Sequence, residues 1–241
     1  MRPRLVFALL CAATALGLSA CNQQPGGNGG GSTTSTPSPS GAGSLGDATE
    51  PPPPPTREPT ASGLEYRVSY DWGVPSRQVA VQHPLTPPIA PPPAPPLPYL
   101  VGVYAADHPE GKPAYQRISF YFRGGFPSYN FQYVAEVVSD GKGDRIPLPG
   151  NAFLRVGFVD AQAHDNAGKS TIKVSPRNPL GYKNLKGYGF AGDFEGHVTY
   201  GLGIQVVPNS DQVLKIRAGE LKKPDGSGGF FYVVHFDVQT G

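Results

Sequence analysis

Asp193, Glu195 and His197 fall within five positions, in the stretch AGDFEGHVTYGLG at residues 191–203. Two carboxylates and an imidazole at that spacing are the groups used in general acid–base catalysis and metal binding. They are also the polar residues expected at the edge of a β-hairpin. Gly192 and Gly196 bracket Asp193-Phe194-Glu195. Glycine supplies positive φ in turns, and aspartate takes nearby backbone N–H groups. A bend ahead of a strand at residues 197–205, with Phe194 as its core anchor, accounts for all three polar residues. An extended chain would instead put 193, 195 and 197 on one face, which leaves a ligand or metal site open.

The remaining histidines and acids divide in the same way. His164-Asp165 precedes Asn166 and Gly168, the pattern of an Asx-type turn with histidine as a cap. His235 and Asp237 are two apart on one strand face and read as a cross-strand polar pair. His83 and His108 each precede proline and read as loop residues. The chain has no HExxH, no paired-histidine zinc spacing, no G-x-S-x-G elbow and no phosphate or dinucleotide loop. No catalytic residue, metal or cofactor is assigned on this basis. A hydrolase with an unrecognised site stays open as the least favoured class.

The elements that must position these groups are strands. In QRISFYFR, Ile118, Phe120 and Phe122 alternate with Arg117, Ser119, Tyr121 and Arg123. That period of two predicts a half-buried strand. AFLRVGFV repeats it with Leu154, Val156 and Phe158, while FFYVVHFDV is apolar on both faces and is expected at the centre of its sheet. DG, GD and Gly-Ser clusters separate the runs, and no helical period lasts three turns. The expected fold class is all-β, a sandwich or a barrel.

Residues 64–98 are expected to form a strand arm and a connector. LEYRVSY puts Leu64, Tyr66, Val68 and Tyr70 on one face, expected to be buried, with Asp71-Trp72-Gly73 ending the strand. RQVAVQ is a second short strand with Val79 and Val81 inward. The apolar faces favour packing of 64–82 on the domain rim. Pro84 to Pro98 is too proline-rich for a sheet interior. As polyproline II it would run roughly 45 Å and act as a stiff connector.

Residues 21–63 hold almost no large apolar side chain and read as a disordered Gly/Ser/Pro tether. Its flexible reach would be roughly 35 Å. Residues 1–20 combine Arg2 and Arg4, an apolar run from Leu5 to Leu18, and small residues Ser19 and Ala20. With Cys21 completing LSAC, the segment resembles a bacterial lipoprotein signal peptide. In that family the leader is cut before the cysteine, which is then lipidated. The resemblance implies lipidation at Cys21 and an extracytoplasmic protein held on the cell membrane by its lipid anchor. Multiple acyl chains would give stable anchoring. Cys11 would leave with the leader, so the domain would have neither a disulfide nor a thiolate metal site.

The formal charge of +2 reflects 20 basic and 18 acidic residues. The leader carries two of the basic residues and no acid, so the remainder is balanced. A balanced chain without a basic face argues against nucleic acid as a partner.

The pieces AYQRISFYF, SDGKGDRIPLPGNAFLRV, AQAHDNAG and GDFEGHVTYGLGI resemble, in the same order, those of the AMIN-like domain of actinobacterial envelope proteins. That family is related to the AMIN targeting domain of N-acetylmuramoyl-L-alanine amidases. Gln116 stands where the family usually has aspartate, so no acid–base pair with Arg117 is implied. The resemblance implies a two-sheet β-sandwich over residues 99–241 and a non-catalytic envelope role, binding peptidoglycan or another wall component. A protein–protein adaptor for envelope machinery is the alternative. Arg117, Tyr121 and Arg123 on one strand, with Tyr200, the 193–195 bend and His164-Asp165, are the candidate ligand-binding residues.

Overall fold

The computed structural model describes residues 64–84, 97–207 and 213–240. The leader, Cys21, the tether and most of the Pro84–Pro98 run lie outside these described residues. Ten strands and no helix occur among them. In chain order they are β1 (Glu65–Gly73), β2 (Val79–Val81), β3 (Tyr99–His108), β4 (Tyr115–Arg123) and β5 (Ser128–Val134). There follow β6 (Ala152–Val159), β7 (Leu185–Phe194), β8 (His197–Ile204), β9 (Ile216–Pro224) and β10 (Phe230–Gln239).

They form two five-stranded sheets, ordered β1-β9-β10-β4-β3 and β2-β5-β6-β8-β7. Every strand pair is antiparallel. The all-β class read from the alternation is observed, and it takes the two-sheet sandwich form that the family resemblance implied. β10, apolar on both faces, occupies the centre of its sheet. The core is the set of in-phase residues between the sheets. It includes Ile118, Phe120 and Phe122 on β4, Leu154, Val156 and Phe158 on β6, and Val234, Phe236 and Val238 on β10. Each such side chain contributes about 1.5–3 kcal/mol by leaving water.

The outer face of the second sheet is glycine-rich for a steric reason. Segment 137–149 lies directly on it. A Cβ at Gly203 would strike the Pro149 carbonyl, and one at Gly201 would strike Leu148 and Val137. Glycine on alternate positions of β8 lets that backbone seat against the sheet.

Several sequence expectations fail. Tyr66 and Val68 are not buried; they are 41% and 43% exposed. A register shift between Val68 and Tyr70 moves Tyr70 to the core side and leaves the two earlier residues on the outer face. The strand also continues through Asp71-Trp72-Gly73. His108 ends β3 and is buried, its ring stacked on Tyr115 at 4.6 Å.

A sandwich has two open sides where the sheet edges face each other. At one side, β1 and the chain after β2 meet around Glu220. At the other, loop 160–175 covers β3. Leu100 N–H donates to the Gln162 carbonyl, and Val103 N–H to that of Val174. The edge backbone of β3 is thereby paired.

Candidate functional site

The second open side carries the groove. β7 is an edge strand, and its residues Tyr188 and Phe190 pair with Leu202 and Tyr200 of β8. Those positions face inward, but little covers them there. Phe190 is 48% exposed and meets the buried Tyr200 edge-on at 5.4 Å. Loop 160–175 forms the opposite wall, with His164, Ser170 and Ile172. The groove is open and has a volume of about 690 Å³, within the range of small-molecule sites.

His164 and Asp193 join the two walls. His164 Nδ1 lies 2.5 Å from Asp193 Oδ2. The same oxygen accepts the Ala163 N–H at 3.0 Å. Asp193 therefore fixes both the loop backbone and the imidazole, so His164 is oriented and half-exposed at the rim. Burial raises the Tyr188 and Tyr200 hydroxyl pKa values, which keeps both phenols protonated. Neutral phenols, an exposed phenyl ring, two serines and an oriented histidine suit an uncharged polyhydroxy ligand. Aromatic rings stack on sugar faces, and the polar groups fix orientation.

Glu195 and His197 are not part of this arrangement. Phe194 pairs with His197, leaving Glu195 and Gly196 as a two-residue hairpin turn. Both have positive φ, 49° and 77°, as type I′ geometry requires. Asp193, Glu195 and His197 thus lie on one strand, a turn and the next strand. The expected core anchor Phe194 is instead 65% exposed, at the end of β7 next to the turn. Among the described residues, no three His, Cys, Asp or Glu side chains are placed to hold a metal ion.

Asp165 is the turn residue that the sequence implies. Its Oδ1 accepts the Ala167 and Lys169 N–H groups, each at 2.9 Å. It faces a second groove, of about 410 Å³, on the other side of the loop. Tyr121 and Arg123 line that groove as well, so three of the candidate residues converge there. Arg117 does not. It is buried, with Nε 2.6 Å and Nη2 3.0 Å from the two Asp237 carboxylate oxygens. Arg217 adds two bonds to Asp237 Oδ2, at 2.9 and 2.7 Å. Burial alone would raise the Asp237 pKa; His235, Arg117 and Arg217 outweigh it and hold the acid ionised. Gln116 is likewise structural. Its Oε1 accepts the Asn184 and Leu185 N–H groups at 2.9 and 2.8 Å.

Sequence reasoning missed Tyr188 and Phe190. Their signal is GYGF, aromatic residues alternating with glycine on an edge strand. It also missed Glu220, which keeps phase with Ile216 and Ala218 and therefore had to point inward.

Residues 98–221 match the AMIN-like domain, just over half of the chain. The chain belongs to the AMIN-like family. The match runs from the start of β3 into β9, leaving β1, β2 and β10 outside it. Both walls of the Phe190 groove lie within the AMIN-like region. AMIN-like domains are typically non-catalytic. Neither curated proteins nor solved structures gave a match to the chain.

Proposed function

We propose that the protein is a lipid-anchored, extracytoplasmic binding module of the cell envelope, and that the groove between β7 and loop 160–175 takes wall glycan. The observation that carries this reading is the half-exposed Phe190 ring beside the oriented His164–Asp193 pair, inside a domain of a family associated with the cell envelope. The leader and Cys21 supply the anchoring half of the proposal. Acylated Cys21 would hold the chain at the membrane, and residues 22–63 would let the domain reach the wall layer.

The test is co-sedimentation of the full chain, purified in detergent, with purified sacculi. Retention above an unrelated protein of similar size and charge is expected. Retention should fall severalfold in Phe190→Ala, because stacking area is lost while the core is untouched. Equal retention of the chain and the unrelated protein would remove the wall-binding reading. Anchoring is tested separately: Cys21→Ser should move the protein from the membrane to the soluble fraction.

A further inference from the structure

The second groove has a different lining from the first. Its aromatic wall is Tyr99 and Tyr104 from β3, Tyr121 from β4 and Phe231 from β10. Tyr104 and Tyr121 pack with ring centroids 4.4 Å apart. Charges of both signs stand at its rim. Arg123 lies over the Phe231 ring at 5.1 Å, with Nη2 2.8 Å from Asp225 Oδ2, so its guanidinium is held in place. Lys173 is exposed on the loop wall, and Asp165 stands on the same wall. Both hydrogen bonds to the Asp165 carboxylate go to Oδ1. Those bonds, from Lys169 first, lower its pKa and keep it ionised.

We propose that this groove binds a short zwitterionic peptide, with its free carboxylate at Arg123 and Lys173 and an ammonium group at Asp165. The charge pattern selects this occupant. A dianionic phosphate would gain from Arg123 and Lys173 but face the Asp165 carboxylate in the same groove. A neutral sugar would use none of the three charges and would leave Arg123 with Asp225 alone. A peptide with a terminal carboxylate and a nearby side-chain amine, such as one ending in a diamino acid, satisfies each of them. Its aliphatic part would lie on the tyrosine wall.

The inference rests on the wall-binding reading and extends it. Loop 160–175 separates the two grooves, and Ser170 lines both. A polymer carrying peptide branches on a glycan strand would place sugar on one side of the loop and peptide on the other.

Isothermal titration calorimetry of the full chain in detergent tests this. The probes are a synthetic tripeptide ending in a diamino acid with a free carboxylate, the same tripeptide amidated at its C-terminus, and a peptide-free glycan oligosaccharide. The free tripeptide should bind. Amidation, or the rim substitution Lys173→Glu, should weaken it roughly tenfold at low salt. Glu195→Asn, on the distant hairpin turn, should leave it unchanged. Equal binding of the amidated peptide, or no effect of Lys173→Glu, overturns the proposal. Binding of the glycan but not the tripeptide overturns it while leaving the wall-binding reading in place. Failure of both probes overturns the two together.

Discussion

Glu220 of one sheet and Tyr129 of the other are hydrogen-bonded across the sandwich, with 2.8 Å between the carboxylate Oε1 and the phenol oxygen. The Glu220 side chain is 4% exposed. His83 Nε2 lies 2.8 Å from Oε1, and Arg67 Nε donates to Oε2 at 3.1 Å. Ser69 Oγ lies 2.7 Å from the Tyr129 oxygen. One buried carboxylate thus ties β1, the chain after β2, β5 and β9 together at the first open side. It holds the segment outside the AMIN-like match onto the segment inside it.

Removing that charge should loosen the arm. Glu220→Gln keeps the volume but loses the charge-assisted bonds from Arg67. The expected cost is about 2–3 kcal/mol. Urea unfolding measures it as a lower midpoint at unchanged slope. A midpoint within error of the parent would show that the cluster is decoration.

Acid should weaken the fold in two stages. Burial pushes the His235 pKa down from 6.5 to about 3, with Arg117 adding to the effect. The unfolded chain therefore binds this proton first, and stability falls as pH drops from 6.5 toward 3. Burial would raise the Glu220 pKa, but His83, Arg67 and Tyr129 outweigh it and bring it from 4.5 to about 2. Its contribution is complete above pH 4.5 and disappears as pH falls toward 2. His235→Phe should keep the stack on Tyr66 and remove the first stage only, as read by thermal unfolding across pH. An unchanged pH profile would assign that stage to another group.

The turn at Glu195 should accept a better residue. A non-glycine residue at φ 49° is uncommon. Glu195→Asn creates Asn-Gly, the preferred type I′ pair, and should stabilise by up to about 1 kcal/mol. Thermal unfolding checks the gain. A loss of wall binding in this variant would mean that Glu195 contacts ligand after all.

Gly203 should tolerate no side chain. In Gly203→Ala the new Cβ meets the Pro149 carbonyl, which belongs to a backbone seated on the sheet. A cost of about 1–3 kcal/mol is expected, typical of overpacking. An unaltered urea midpoint would show that segment 137–149 is free to lift.

The frame was legible because alternation survives noise. Ile118, Phe120 and Phe122, or Leu154, Val156 and Phe158, can face only one way once one of them is buried. LEYRVSY was misread because one register shift inverts the faces of a strand, and no single residue type announces that shift. The site was half legible. His164, Asp193 and Tyr200 were identified as candidates, but their meeting depends on loop 160–175 crossing to β7, a contact between residues about thirty positions apart. Arg117 looked like an available surface cation. Its buried partner, Asp237, is 120 positions away, and spacing in the sequence carries no trace of that pairing.

The central claim is that the Phe190 groove takes wall glycan. The most direct measurement is NMR titration of the full chain in detergent micelles with a peptide-free glycan oligosaccharide. The account predicts saturable shift changes centred on Tyr188, Phe190, His164 and Ser170. Shift changes confined to other faces of the sandwich, or none at saturating oligosaccharide, would contradict it.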